Sequence, residues 1–420
     1  MGVANLSKHL DLLRQSEYRK LFIAQSLSKA GSEFSLIAVA FGILDLGGSA
    51  SDLGLALMSR TLPPLALMVV GGVLADRIPR ARLMIWADSI ACLAQLGLAA
   101  LFLSGTLALP VLMLCQALLG SATAIFRPAI AALIPEIVAT DKLVQANSSL
   151  SIASNAAALL GPVSAGMLLV FVSPAWIIFA DAGSFGLSAL LMMSLTNVGA
   201  DRSNKVRPSV RRELLDGWRY VVDTRWILVA TFQFLLFQAG FTTFFIIGPL
   251  LAHSKHSGSQ AWGALVAAFG AGALIGGLAA LRYQPRHPLI TMQLMLGLTL
   301  PLLGGMAIDT PFILIFMAAA LAGGAFSLSD IIWDSYLQLV TPNDRLGLVF
   351  SITSFGSAAL RPFGYLVTGT VADALGAPAT FAITAIGLLI STSIALTLLL
   401  PMRKHLLNPL LTPTTKQEVK

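Results

Sequence analysis

Residues 71–82 read Gly-Gly-Val-Leu-Ala-Asp-Arg-Ile-Pro-Arg-Ala-Arg and lie between two long apolar segments. A shortened copy, Gly-Gly-Leu-Ala-Ala-Leu-Arg, stands half a chain later at 276–282. Each copy places a basic turn at the end of an apolar segment, and only the first copy carries an acid there. Such a repeat indicates an internally duplicated membrane protein.

The composition agrees with a membrane location. Of the 420 residues, 56% are hydrophobic and only 11% are charged, and the mean hydropathy is +0.82. Soluble domains carry roughly 25% charged residues. Apolar runs of about 20 residues, enough for a helix to cross the hydrocarbon of a bilayer, occur at 21–44, 52–74, 83–104, 109–131, 147–171, 175–196, 226–251, 261–281, 289–308, 312–335, 346–371 and 378–400.

These twelve runs predict an all-α membrane protein with twelve transmembrane helices in two pseudo-symmetric six-helix bundles. A polar segment divides the two sets of six. We therefore predict an N-terminal bundle at 1–196, a cytoplasmic linker with an interfacial helix at 197–225, a C-terminal bundle at 226–405 and a cytoplasmic tail at 406–420.

The positions of the basic residues predict the orientation. Most of the 27 Lys and Arg residues fall in the tails and in alternate loops, whereas Lys255 falls in a loop on the opposite side. Because basic residues favour the cytoplasmic side, we expect a multi-pass protein of the inner (plasma) membrane with both termini cytoplasmic. The same distribution accounts for the net charge of +7 and gives no continuous basic face, so we expect no nucleic-acid partner.

Charged side chains inside the apolar runs are costly in lipid, so each is expected to face a cavity or a partner. Lys29 and Glu33 are four residues apart and share one helix face. Glu33 and Arg60 lie at similar depths, which allows an ion pair between them. Glu33 best fits a carboxylate that binds and releases a proton as the conformation changes, and Asp330 is second. The alternative for each acid is a permanent structural ion pair.

Two further acids are better explained as structural groups. Asp181 and Arg361 both lie in the outer halves of their runs, where the carboxylate could neutralise the guanidinium. Asp88 lies near the inner face, where a loop arginine could satisfy it.

Several stretches resemble the major facilitator superfamily, in particular its twelve-helix drug, macrolide and siderophore exporters. The family signature between helices 2 and 3 matches Gly72, Asp76, Arg77 and Arg80. The family usually has a second basic residue at the position of Ala81, and here Arg82 supplies a base one position later. The signature of helix 5 is partly present as Gly161, Pro162 and Gly166. The chain departs from the family at Pro79, where glycine is usual, and at Gln116, where many drug antiporters carry arginine.

The resemblance implies a conformational latch, in which Asp76 faces the positive N-terminal end of helix 11. The alternative is that the nearby arginines only set topology and bind lipid headgroups. It also implies an inner gate in which Arg127 pairs with Asp330 or Asp334.

A substrate pocket would be formed by helices 1, 4, 7 and 10. Its candidate residues are Gln25, Phe126, Gln233, Phe237, Gln238 and Trp333. Aromatic rings beside amides suit a bulky amphiphilic ligand, whereas the alternative is that the rings pack against lipid or other helices.

The resulting hypothesis is proton-coupled efflux of a small amphiphilic molecule, such as a drug, an antibiotic or a siderophore, by alternating access. An importer or a lysophospholipid flippase of the same fold is the first alternative, and a non-transporting sensor or scaffold is the alternative from another class. Neither a metal-spaced cluster nor a phosphate-binding loop is present in the sequence. We therefore expect no enzyme activity, cofactor or metal. The expected partners are a small-molecule substrate, protons and membrane lipid. We expect the chain to be a monomer.

Overall fold

The computed structural model describes residues 12–139, 142–195, 218–255, 258–280, 282–283, 285–308, 310–342 and 346–402. Side chains are described at all of these except 68–77, 132, 144, 254–255, 346–348 and 351. Most of the predicted linker and the whole predicted tail fall outside these ranges, so the domain boundaries stay predictions.

The described residues form α-helices without any β-strand, which confirms the all-α prediction. In chain order the helices are α1 (Ser16–Asp45), α2 (Ala50–Arg77), α3 (Arg80–Leu103), α4 (Leu109–Ile137), α5 (Leu143–Leu168), α6 (Pro174–Met193), α7 (Arg225–Lys255), α8 (Ser259–Ala280), α9 (Pro288–Gly297), α10 (Leu300–Ala307), α11 (Phe312–Val340), α12 (Leu346–Ala358), α13 (Arg361–Leu375) and α14 (Ala377–Leu399). A 3₁₀ turn, Leu400–Met402, follows.

Within the described ranges, ten segments are long and apolar enough to cross a membrane, with α9 and α10 counted as one. The predicted run at 52–74 is not among the ten, and the run at 346–371 is divided into α12 and α13. Pro362 is the second residue of α13 and has no N–H to donate, so the ladder of helical hydrogen bonds is interrupted there. Pro301 has the same position in α10, where the run at 289–308 is divided.

The chain contains two compact units. Unit 1 comprises residues 1–204 together with 246–267 and 365–373. In its core, α2 packs on α4, α3 packs on α4 and α6, and α1 packs on α5 and α6. The Tyr18 hydroxyl donates a hydrogen bond to the Ala146 carbonyl at 2.9 Å and so joins the beginnings of α1 and α5.

The packing of α2 on α4 depends on a proline and a glycine. Pro64 lies inside α2 and has no N–H for the carbonyl of Arg60, four residues earlier. Gly120 of α4 approaches that carbonyl so closely that a Cβ atom there would collide with it. The close approach holds the backbone of Arg60 against α4.

The later segments of unit 1 also join it through close backbone contacts. A Cβ atom at Gly54 would lie 2.6 Å from the carbonyl oxygen of Tyr365, and one at Gly369 would lie 2.6 Å from that of Ala50. Ser259 donates a hydrogen bond from its hydroxyl to the Gly166 carbonyl at 2.9 Å. Small residues therefore allow α2 to touch α13, and α5 to touch α8.

Unit 2 comprises residues 205–245, 268–364 and 374–420. In it α8 and α11 meet through glycines, because Cβ atoms at Gly272 or Gly276 would collide with the α11 backbone. A cluster of phenylalanine rings lies beside this contact, with neighbouring ring centroids 5.3–6.4 Å apart. Its members are Phe234, Phe237, Phe241, Phe244, Phe245, Phe269 and Phe326.

Candidate functional site

A cavity of about 370 Å³ lies among the first six helices of unit 1, each of which contributes to its wall. Its charged lining residues are Lys29 of α1, Arg60 of α2, Asp88 of α3 and Arg127 of α4. Phe126 adds an aromatic face, and hydroxyls and an amide complete the polar part of the wall. The cavity therefore offers charge, hydrogen bonding and an apolar surface to one ligand.

Two of the predicted intramembrane charges form an ion pair at this cavity. Lys29 Nζ lies 2.6 Å from Glu33 Oε1, as their spacing of four residues on one helix allows. The Lys29 side chain is 44% exposed and lines the cavity, whereas that of Glu33 is only 16% exposed. Gly161 of α5 makes room for Glu33, because a Cβ atom there would lie 2.6 Å from the Glu33 Cβ.

Arg60 is the most deeply placed base of the cavity. Its charge interacts with those of Asp181 and Glu33. Its Nη1 atom is buried and has no hydrogen-bond partner among the described residues. Arg60 and Glu33 interact only through their charges. The ion pair of Glu33 at hydrogen-bond distance is formed with Lys29.

Asp181 belongs to a buried network that joins three helices. Gln95 of α3 donates hydrogen bonds from Nε2 to the Asp181 carboxylate and, at 2.8 Å, to the Ser35 hydroxyl of α1. Ser184 donates another to Asp181 Oδ1 at 3.1 Å. Asp181 is 1% exposed, and Gly31 leaves the space that its carboxylate fills. These contacts support a structural role for Asp181, while its predicted pairing with Arg361 of unit 2 stays a prediction.

Asp88 is a cavity residue that the sequence analysis did not place in the site. It is 2% exposed, and its Oδ2 accepts a hydrogen bond from the Ser188 hydroxyl at 2.6 Å. The described part of the chain places a serine, and no arginine, beside this carboxylate. Two serines four residues apart on α6, Ser184 and Ser188, each meet a buried acid. That spacing is a signal that could have been found in the sequence.

The residues of the predicted latch are only partly described. Gly72, Asp76 and Arg77 lie at the end of α2, within 68–77, so their side chains lie outside the described part of the chain. Arg80 forms an ion pair with Glu136 near the end of α4, and Arg82 is exposed. In the predicted helix-5 motif, Gly166 and Pro162 lie against α8 while Gly161 lies against α1.

The predicted pocket residues fall in both units. Gln25 and Phe126 line the cavity of unit 1. In unit 2, Gln233 donates a hydrogen bond to Thr392 at 3.0 Å, Phe237 is buried in the phenylalanine cluster, and Trp333 packs edge-on against Trp226. Gln238 is half-buried on α7.

The remaining charges belong to unit 2. Asp330 and Asp334 lie one turn apart on α11, and within unit 2 no ion pair to either is described. Arg361 is the first residue of α13. The predicted gate between Arg127 and either acid of α11 stays a prediction.

Comparison with known proteins identifies the family. A family model described as transmembrane secretion effector matches residues 7–419. The multidrug efflux pump Tap of Mycolicibacterium fortuitum is 25% identical over 86% of this chain and 90% of that protein. Macrolide efflux protein A of Streptococcus pyogenes is 24% identical with the same coverage of both chains.

Solved structures show the same fold at lower identity. The nucleoside transporter NupG superposes with a TM-score of 0.74 at 12% identity, over 91% of this chain and 98% of that chain. A bacterial homologue of the iron transporter ferroportin superposes with a TM-score of 0.70 at 16% identity, over 92% and 98%. The chain is thus a membrane transporter rather than an enzyme, and it belongs to the transmembrane secretion effector family of the major facilitator superfamily.

Proposed function

We propose that this protein exports a small amphiphilic molecule across the plasma membrane by alternating access, driven by proton entry. The observation that carries the proposal is the cavity of unit 1, where charged and aromatic side chains face one space inside a membrane-embedded bundle. Charges are retained at such depth only where they act on a ligand, an ion or each other. The efflux activities named for the multidrug and macrolide relatives support export as the direction.

Glu33 is the proposed proton carrier. Its ion pair with Lys29 at 2.6 Å depends on one negative charge, which a single proton removes. Protonation would release the Lys29 ammonium toward the cavity that this side chain lines. The proton and the Lys29 ammonium would then compete for the same carboxylate, so that proton binding changes the charge that a ligand meets in the cavity and couples the two binding events.

The orientation and the latch complete the proposal. Both termini would be cytoplasmic, because basic residues concentrate in the loops on that side.

Asp76 would hold the cytoplasmic ends together in one state. Asp76→Asn should then reduce transport and shift the population toward the inward-open state, while ligand binding is retained. Unchanged transport and an unchanged distribution of states would contradict the latch.

The test uses purified protein in proteoliposomes loaded with an amphiphilic xanthene dye that bears a free benzoate. We expect efflux to accelerate under an inward proton gradient and to slow when an ionophore collapses it. Glu33→Gln should retain counterflow but lose the response to the gradient, because the amide cannot carry the proton. Asp223→Asn is the matched control, since Asp223 is exposed and lies in unit 2. Efflux that ignores the gradient in the wild-type protein would overturn proton coupling.

A further inference from the structure

The charges that face the cavity of unit 1 are unequal in sign. Three lining residues are basic, namely Lys29, Arg60 and Arg127, and one is acidic, Asp88. The two acids that interact with the bases, Glu33 and Asp181, are not among the lining residues. A ligand in the cavity therefore meets more positive groups than negative ones.

The three bases differ in how far their charge is already compensated. Lys29 is paired with Glu33 at 2.6 Å, and the charge of Arg60 is offset by that of Asp181. Arg127 is exposed to the cavity, and among the described residues of unit 1 no acid lies within ion-pair distance of it. Its guanidinium is thus the base with the most capacity left for a ligand.

Arg60 is a second guanidinium group in the wall of the same cavity. Its Nη1 atom is buried and has no hydrogen-bond partner among the described residues. A buried donor of this kind is costly unless a ligand or water satisfies it. Guanidinium groups match the geometry of carboxylate and phosphate oxygens.

The single acid of the lining is hydrogen-bonded to α6. One oxygen of Asp88 accepts the Ser188 hydroxyl at 2.6 Å, which draws that carboxylate toward α6. The apolar part of the wall includes the rings of Phe126 and Phe185, both half-buried. A flat apolar body could pack on these rings while its anionic group reaches the guanidinium groups.

We propose that this cavity binds an amphiphile bearing a carboxylate or phosphate group, with Arg127 and Arg60 as donors and Phe126 and Phe185 as the apolar contact. This rests on the proposed export function and specifies its substrate class. The anionic group can belong to a free amphiphile or to a lipid headgroup, because the chemistry recognised is the same. A purely cationic molecule is expected to bind poorly.

The experiment uses a pair of probes that differ in one group. A cationic xanthene dye with a free benzoate and the methyl ester of the same dye have the same rings, but only the first has an anionic group. Binding to the full-length protein in phosphatidylcholine nanodiscs is measured by fluorescence anisotropy. We expect the free benzoate to bind at least about tenfold more tightly than the ester, the difference expected for one charge-assisted hydrogen bond.

Variants assign this preference to the cavity. Arg127→Gln should abolish most of the preference while binding of the ester is unchanged, which shows that the cavity is intact. Arg127→Lys should keep part of the preference because it keeps the charge. Arg219→Gln, an exposed base of unit 2, is the control and should change nothing. A fall in dye affinity on addition of phosphatidylglycerol would identify the headgroup as a competing source of the anion.

Two results would overturn the proposal. One is equal or tighter binding of the ester by the wild-type protein, and the other is an undiminished preference in Arg127→Gln. Either result leaves export testable, because both dyes can also be followed for transport in proteoliposomes. Dye binding without any transport would instead contradict the export function while supporting the anion site.

Discussion

Asp373 Oδ2 accepts a hydrogen bond from the backbone N–H of Ser51 at 3.1 Å. Its other oxygen accepts the N–H of Ala50, also at 3.1 Å, so the carboxylate near the end of α13 caps the first turn of α2. A carboxylate at this position satisfies N–H groups that lack helical partners and faces the positive end of the helix dipole. The contact thus joins residues more than three hundred positions apart.

Asp373→Asn should weaken this cap. An amide oxygen can still accept one of the two hydrogen bonds, but the negative charge is lost. Because the group is largely exposed, we expect a loss of roughly 0.5 kcal/mol, at the low end for helix caps. The measurement is thermal unfolding of the detergent-solubilised protein, with Asp223→Asn as a control that should unfold like wild type. Equal unfolding temperatures for the two variants would contradict the cap.

The same contact predicts a pH dependence. Burial alone would raise the pKa of Asp373, but hydrogen bonds from Ser51, Ser49 and Ala50 outweigh it and hold the pKa below its ordinary value. A lowered folded-state pKa contributes stability above the unfolded pKa of about 3.9, and this is lost as the pH falls through the folded value.

The difference in unfolding temperature between wild type and Asp373→Asn should therefore be constant from about pH 8 to about pH 5. It should shrink below about pH 4, where the carboxylate of the unfolded chain is protonated first. Unfolding in a thermally stable detergent over this range measures it. A difference that stays the same or grows below about pH 4 would contradict the lowered pKa of Asp373.

Gly161→Ala should disturb the pairing of Glu33 with Lys29. The added Cβ atom would lie 2.6 Å from the Cβ of Glu33, so α1 and α5 must separate or the glutamate must turn. We expect a loss of about 1–3 kcal/mol, as for other overpacked sites.

Gly183→Ala is the matched control for that change. A Cβ atom at Gly183 in α6 would have no described neighbour within 4 Å, and alanine favours the helix over glycine. The control should therefore unfold at the same or a higher temperature than wild type. Equal unfolding temperatures for the two variants would mean that α1 and α5 accommodate the added Cβ atom without a loss of stability.

Asp181→Leu should be among the most damaging single changes in unit 1. It removes the acceptor of Gln95 and the charge that interacts with Arg60. Breaking a buried charge pair in this way costs roughly 3–5 kcal/mol. Asp181→Asn keeps the shape and one acceptor, so its loss should be smaller. If Asp181 carried the transported proton, Asp181→Asn would retain stability but lose the response to a proton gradient.

The helices could be predicted from the sequence more completely than the contacts between them. Apolar runs gave the positions of most segments, because length and hydropathy suffice to recognise a membrane helix. Apolar content alone predicts one continuous run at 346–371, whereas α12 ends at Ala358 and α13 begins at Arg361. Pro362 is the physical signal for this break, since it cannot donate to the preceding turn.

In the site, a contact within one helix can be predicted from the sequence, whereas a contact between several helices cannot. Lys29 and Glu33 lie on one helix, so their spacing alone places them together. Asp181, Gln95 and Ser35 lie on three helices, and their meeting depends on the rotation of each about its axis. Apolar periodicity is weak in a helix surrounded by lipid and protein, so that rotation is not encoded in a readable pattern.

The side chains that line the cavity of unit 1 all lie between Gln25 and Phe185. The surface that a ligand would touch there thus comes from less than half of these 420 residues. Recombination confined to that stretch could transplant a ligand preference between relatives without altering the helices of unit 2. The part of the substrate range that this cavity determines would then evolve independently of the helices of unit 2.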